Sequence, residues 1–430
     1  MKLLYSIAAS SIYNFTFSLL NFCLPLLSIK IFGFKLFSDK KRNFYIERNK
    51  SFRVVKKNQF EVFRSVDSPV IWIHCSSLGE YEQCRPLIKK IKKHLSKYKI
   101  ALTFYSPSGF YVTKNNSLID WIGYLPIDLT RKMNLIINFI NPKILILSKN
   151  DFWPNLLYSL NNRDIPIISI SSKFKKSDFF WKSFSIWFYD SLKSVTHFYT
   201  SDRNSEKILN TNEIFNTTSS GDTRMDRVLK IMNENKSFKI LDHFTKNQKC
   251  WIAGSTWNED LPLFLNYIKN KESPKVIIAP HDCSKNSISS LIKQLKVPFT
   301  LWSNYSFKNN SIKVLIIDKI GVLKHAYKYA EWAYIGGGMS KFGLHNILEA
   351  AVYKLPIIIG KNYKKFPEAK DLIEKGGCFS VSNNKEFETV ISKILKDPKK
   401  IGGLNFNYVN EKKGATEKIF IEIKKILAKL

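Results

Sequence analysis

Short apolar runs alternate along the chain with stretches in which apolar residues return every three or four positions. In the first half the runs fall at 70–75, 100–105, 121–125, 143–148, 165–170 and 195–199. Unbroken apolarity over five or six residues predicts strands buried on both faces, as in a parallel sheet. The segment after Glu80 reads as a helix. Cys84, Leu87, Ile88, Ile91 and Leu95 share one face there, and Lys89, Lys90, Lys92 and Lys93 lie mostly outside it. Residues 226–248 are polar and hold no convincing strand, after which runs resume at 250–254, 275–279, 313–317, 332–335 and 356–360. Two Rossmann-like βαβ domains are predicted, 30–225 and 249–410, joined by a linker over 226–248 and facing a cleft. Within the closing stretch 411–430, Ile419, Ile423, Ile426, Leu427 and Leu430 form one stripe, which predicts a docking helix.

The amino terminus breaks this rhythm. Residues 3–28 carry no charge and are bracketed by Lys2 and Lys30, whereas a membrane span needs about 20 mostly apolar residues. Asn14, Asn21 and Pro25 weaken the run, and no small-residue cleavage site closes it. An uncleaved anchor helix over 1–29 is expected, either crossing the bilayer or lying in its surface. Residues 30–64 then hold eleven Lys and Arg against Asp39, Glu47 and Glu61. Such an excess marks the cytoplasmic side of a membrane and attracts acidic lipid head groups.

Composition narrows the function classes. The 430 residues are 44% apolar, enough to exclude disorder, and the six cysteines are scattered without a CxxC pair, as reduced core residues are. The 68 Lys and Arg against 35 Asp and Glu give a net charge of +33. Nucleic acid is one partner such charge suits. The lysines, however, form no arm and no aromatic-stacking pattern, and no nucleic-acid motif is present, so nucleic acid is not expected as a partner. Anionic substrates, a membrane surface and compositional drift are the remaining readings.

Open α/β sheets bind ligands at the carboxyl ends of their strands. Four such places have unusual chemistry. In His74-Cys-Ser-Ser-Leu-Gly-Glu80 a strand runs into a small-residue turn with a carboxylate at a helix mouth. Glu80 there can cap the helix or, ionised, take a proton from a hydroxyl. In the run 251–260, Gly254 allows a close backbone approach, and Ser255 or Thr256 can cap a helix or bind a ligand. Pro280 and His281 end a buried strand. Finally, Gly337 and Gly338 end another, and Asn346 opens a helix whose free N–H groups suit a nucleotide phosphate. No P-loop, no GxGxxG at the first domain, no zinc spacing and no Asp-x-Asp pair occur. No metal and no cofactor are therefore expected.

Taken together, WIHCSSLGEYEQCRPLI (72–88), TFYSPSGF (103–110), YLPIDLT (124–130), SKNDFWPNLL (148–157), SGDTRMDRV (220–228), AGSTWNED (253–260), APHD (279–282) and IGGG…HNILEAAVYKLPIIIG…FPEA (335–369) resemble the 3-deoxy-D-manno-octulosonic acid (Kdo) transferases. The resemblance runs in order over about residues 5–375. It implies a glycosyltransferase-B fold and inverting, metal-independent transfer of Kdo from CMP-Kdo to a lipid A precursor (lipid IVA). The reaction would belong to lipopolysaccharide core biosynthesis, at the cytoplasmic face of the cell inner membrane. The family's base falls on Glu80, and its CMP contacts fall on Pro280 and His281, on Ile320, Gly321 and Val322, and on Asn346, Ile347, Leu348 and Glu349. Two departures stand out: many members carry Arg where His281 stands, and Met-Gly-Glu where this chain has Ile320-Gly-Val322. The alternatives from other classes are a membrane-bound glycosyltransferase-B enzyme using another nucleotide sugar, a membrane-anchored nucleic-acid-binding protein, and an inactive binding homologue.

Overall fold

The computed structural model describes residues 8–19 and 68–430, except 183–184, 247, 309–310 and 342. The chain divides into two compact units: 1–226 with 414–430, and 227–413.

Unit 1 is built on a seven-stranded sheet: β1 (Val70–Cys75), β2 (Lys99–Phe104), β3 (Trp121–Tyr124), β4 (Pro142–Ser148), β5 (Ile167–Ser172), β6 (His197–Thr200) and β7 (Thr217–Ser219). Their order is β3-β2-β1-β4-β5-β6-β7, and every pairing is parallel. Successive side chains of a strand point to opposite faces, so both faces must be covered for a run such as VIWIHC to be wholly buried. Both are. Val70, Trp72, Leu145 and Leu147 enter one apolar layer, and Ile71, Ile73, Ile144 and Ile146 enter the other.

The closing helix, Ala415–Ala428, completes that second layer with Ile419, Phe420, Ile423 and Leu427. Burying such side chains stabilises by roughly 1.5–3 kcal/mol each. Ile426 packs at the edge of this layer, whereas Leu430 lies past the helix and is exposed. The Asp226 carboxylate accepts from the N–H groups of Gly414 and Thr416, at 2.6 and 2.7 Å.

Residues 8–19 form a helix on unit 1. The Tyr13 hydroxyl donates to Asp128 (3.0 Å), Asn14 accepts from the Asn155 amide (3.0 Å), and the Tyr13 ring meets Trp187 edge-on. Ile12, Phe15 and Leu19, spaced for one face, are exposed. Among the described residues no helix is long and apolar enough to cross a membrane. The rest of the expected anchor, and the whole basic stretch at 30–64, lie outside the described residues.

Unit 2 holds a second seven-stranded sheet: β8 (Cys250–Thr256), β9 (Lys275–Pro280), β10 (Phe299–Leu301), β11 (Val314–Ile316), β12 (Ala333–Ile335), β13 (Ile357–Gly360) and β14 (Cys378–Val381). The order is β10-β11-β9-β8-β12-β13-β14, again parallel throughout. Trp251 and Trp332 stack inside it at 4.4 Å and 8°. Residues 226–248, polar enough to read as a linker, carry the end of helix Thr223–Asn233 and helix Lys239–Phe244, which buries Leu241 and Phe244.

Candidate active site

Each sheet reverses its winding once, between β1 and β4 in unit 1 and between β8 and β12 in unit 2. The loops leaving two such strands diverge to opposite faces and open a crevice at their carboxyl ends. Both crevices contain residues singled out from the sequence.

In unit 1, β1 leads through Ser76 and Ser77 into helix Leu78–His94, and Glu80 stands in its first turn. Glu80 Oε2 accepts from the Ser76 N–H at 2.5 Å, so one carboxylate oxygen does cap the helix start. Oε1 has no hydrogen-bond partner among the described residues, which leaves it open to a proton. Burial raises the Glu80 pKa, opposed by the Lys149 ammonium and the Ser76 N–H. A carboxylate held above its usual range is, when ionised, a stronger base.

Three neighbours of Glu80 had no role assigned from the sequence. His74 is fully buried, with Nδ1 2.8 Å from Thr103 Oγ1 and Nε2 2.5 Å from Asp151 Oδ2. Asp151 also accepts from the Ser76 hydroxyl. Burial pushes the Asp151 carboxyl up, but the hydrogen bonds from His74 and Ser76 outweigh it and hold the group below its usual range. The signal was present, since Asp151 lies inside the SKNDFWPNLL run, but nothing in the sequence places it beside Glu80.

In unit 2 the glycines have packing reasons. A Cβ on Gly254 would lie 2.2 Å from the Tyr327 hydroxyl, so this position makes room for Tyr327. Ser255 sits at φ +54° in a bulge of β8, and Thr256 is buried. Neither caps the next turn. That role belongs to Asp260, whose carboxylate reaches back to the Trp257 N–H at 2.8 Å. The same buried carboxylate accepts from the N–H groups of Gly337 (2.9 Å) and Met339 (3.4 Å) and from the Tyr334 hydroxyl (2.7 Å). Burial raises its pKa against these bonds. Gly337 takes φ +89°, and a Cβ on Gly338 would fall 2.6 Å from the Gly360 nitrogen.

Pro280 and His281 follow β9. The His281 ring stacks on Trp257 (4.6 Å, 22°) and on His345 (4.3 Å, 24°). Trp257 Nε1–H donates to His345 Nε2 at 2.9 Å, which places the proton of a neutral His345 on Nδ1. Burial, then the charge of His281, lowers the His345 pKa to about 4. A cavity of about 480 Å³ opens beside this stack, lined by Thr256, Trp257 and Pro280.

After β11, Ile320 is 89% exposed, Gly321 adopts φ +90°, and Val322 is buried at the start of helix Leu323–Ala326. The helix opened by Asn346 is one turn, Leu348–Ala351, and the Asn346 side chain already accepts from the Leu348 N–H at 3.2 Å. The phosphate site expected there is thus partly filled by the protein itself. Ile347 and Leu348 are fully buried and offer only backbone groups. Glu349 accepts from Arg227 Nη1 (3.1 Å) and Asn346 Nδ2 (3.3 Å). Among the described residues no three His, Cys, Asp or Glu side chains group as a metal site would require.

Two doubly wound sheets, each with its polar cluster at a switch point, define a glycosyltransferase-B-like fold. The same fold is seen in UDP-GlcNAc 2-epimerase from Neisseria meningitidis bound to UDP-GlcNAc, at a TM-score of 0.60 and 12% identity, over 84% of this chain and all of that one. It recurs in the UDP-GlcNAc 2-epimerase from Methanocaldococcus jannaschii (0.54, 15% identity, 79% and 98% covered). Residues 47–227 match the profile of the family described as 3-Deoxy-D-manno-octulosonic-acid transferase (kdotransferase). The 3-deoxy-D-manno-octulosonic acid transferase of Haemophilus influenzae is 25% identical over 382 residues, 83% of this chain and 87% of that protein. That of Aquifex aeolicus is 25% identical over 340 residues, with 77% and 87% covered. A bifunctional glycosyltransferase/methyltransferase of Fusobacterium nucleatum is 27% identical over 376 residues; the match takes in 82% of this chain but only 57% of that relative's length. Residues 47–227 thus match the Kdo transferase domain, and similarity to two Kdo transferases extends over 77–83% of the chain.

Proposed function

We propose that the chain is an inverting glycosyltransferase that moves Kdo from CMP-Kdo to a lipid A precursor in lipopolysaccharide biosynthesis, at the cytoplasmic face of the inner membrane. The observation that carries the chemistry is Glu80, with one oxygen committed to Ser76 and the other open at the unit 1 switch point. Glu80 takes the proton of an acceptor hydroxyl. That oxygen forms a bond to the anomeric carbon as the bond from that carbon to the CMP phosphate oxygen breaks. The electron pair leaves with CMP, and the configuration inverts. Unit 2 holds the donor through Pro280, His281, the backbone of Ile320–Gly321–Val322, and Asn346 to Glu349. The absence of an Asp-x-Asp pair supports a metal-independent donor site.

Membrane attachment is supported by the uncharged residues 3–28, the basic stretch at 30–64 and the exposed Ile12, Phe15 and Leu19. Acidic lipids complement the basic stretch.

The test is Glu80→Gln in the full-length protein, assayed with CMP-Kdo and a tetraacylated lipid A precursor. Turnover should fall by roughly 10²-fold or more, with donor binding retained. Near-normal turnover would remove Glu80 from the mechanism. Competition between CMP-Kdo and UDP-sugars tests the donor separately.

A further inference from the structure

We infer that Asp151 is the positioning residue of the Glu80 base: it holds Ser76 through the hydroxyl so that the Ser76 N–H stays aimed at Glu80 Oε2. The inference rests on the reading of Glu80 as the base.

Hydrogen-bond polarity orders the cluster from the core outward. Trp72 Nε1–H can only donate, and it donates to Thr103 Oγ1 at 2.9 Å. Thr103 then keeps its own hydroxyl proton for His74 Nδ1, 2.8 Å away. A neutral imidazole accepting at Nδ1 carries its proton on Nε2, and that N–H points at Asp151 Oδ2 at 2.5 Å. Asp151 thus ends the chain Trp72–Thr103–His74–Asp151, in which Thr103 and His74 are both fully buried, and only 17% of its side chain is exposed.

The chain does not stop there. Asp151 Oδ2 also accepts from the Ser76 hydroxyl, and the Ser76 N–H donates to Glu80 Oε2. Ser76 lies between strand β1 and helix Leu78–His94. Its carbonyl accepts from the Ser106 N–H at 2.8 Å, and its side chain is held by the Asp151 carboxylate, itself anchored by a buried histidine. The charged and titratable groups around Glu80 are Lys149 at the end of β4, Asp151 in the following loop, and His74 and the Cys75 thiol on β1. Of these, Asp151 reaches Glu80 through a single hydrogen-bonded intermediary, Ser76, and His74 through Asp151 in turn.

The experiment is a double-mutant cycle of Asp151→Asn and Ser76→Ala in the full-length protein, with CMP-Kdo and a tetraacylated lipid A precursor, reading kcat, both KM values and the kcat–pH profile. Each single variant should lose roughly tenfold in kcat, as for losing one hydrogen bond to a charged group, with both KM values unchanged. The double variant should be no worse than Asp151→Asn, because both changes cut one path. Asp151→Glu should recover part of the loss. In Ser76→Ala the Asp151 charge remains while the anchored N–H contact that favours ionised Glu80 loosens, so the acid limb should move to higher pH. Additive losses, or an unmoved limb in Ser76→Ala, overturn the assignment. Should Asp151→Asn fail to fold, the limb in Ser76→Ala decides alone. A dead Glu80→Gln beside an unmoved limb refutes Asp151 only, whereas an active Glu80→Gln refutes the base itself.

Discussion

The two switch points solve different problems with the same topology. In unit 1 the crevice is made of side chains that titrate: Glu80, Asp151 and His74 sit within one hydrogen-bonded cluster beside Lys149. In unit 2 it is made mostly of backbone. One buried carboxylate, Asp260, gathers three N–H groups and a tyrosine hydroxyl, and the nearby histidine, His345, is held uncharged. A group that must take a proton needs an adjustable pKa, whereas a group that must hold a ligand needs a fixed shape. Under the proposed function, proton transfer falls to unit 1 and donor binding to unit 2.

That division can be broken most severely at Gly338. Gly338→Val places side-chain atoms against the Gly360 backbone, where even a Cβ would be 2.6 Å away. Overpacking of this kind costs roughly 1–3 kcal/mol or more. A lower unfolding midpoint with lost donor binding is expected in thermal melts; an unchanged melt would show the loop to be pliable. Asp260→Asn comes next, since it turns an amide N–H toward backbone donors. Donor KM should rise roughly 10- to 100-fold, the scale of one to two unsatisfied buried groups, with kcat nearly unchanged. A loss confined to kcat would reverse the assignment of roles.

The pH dependence sharpens the same contrast. Glu80 works ionised and is held above the usual glutamate value, so kcat should climb with pH through that raised value and level off above it. His281 and His345 are both held below the ordinary histidine value, His345 at about 4, so donor KM should stay level above about pH 6.5. A kcat already flat at pH ~4.3 would show that Glu80 is not the group titrating. The smallest effect is Trp257→Phe, which keeps a ring against His281 but loses the bond to His345. Roughly a fivefold rise in donor KM is expected, the scale of one neutral hydrogen bond.

What the sequence showed and what it hid have a common physical cause. Strands buried on both faces are continuous apolar runs, so β1, β4, β8 and β9 stand out. The strands without a visible run are β7, β10 and β14, and all three lie at sheet edges. There one side faces solvent, and the residues are polar or half-buried, as in Thr217–Ser219 and Phe299–Leu301. The site divides in the same way. Glu80 was legible because strand, small-residue turn and acidic helix start are contiguous. Asp151 and Asp260 were not, because their partners lie 75 and 77 positions away or are backbone groups without a sequence signature. Gly254 reads as a place of close approach, but that it makes room for Tyr327, 73 positions on, has no signature in the sequence.

The return of the chain to unit 1 constrains the order of synthesis. Ile419, Phe420, Ile423 and Leu427 supply part of one face of the first sheet, yet they emerge from the ribosome after all of unit 2. Until then that face, including Ile71, Ile73 and Ile144, has only the cover that helix Leu78–His94 provides, and Asp226 waits for the amides of Gly414 and Thr416. Unit 2 can close as soon as its own residues are made. The later half of the protein is therefore positioned to mature first, with unit 1 completed last.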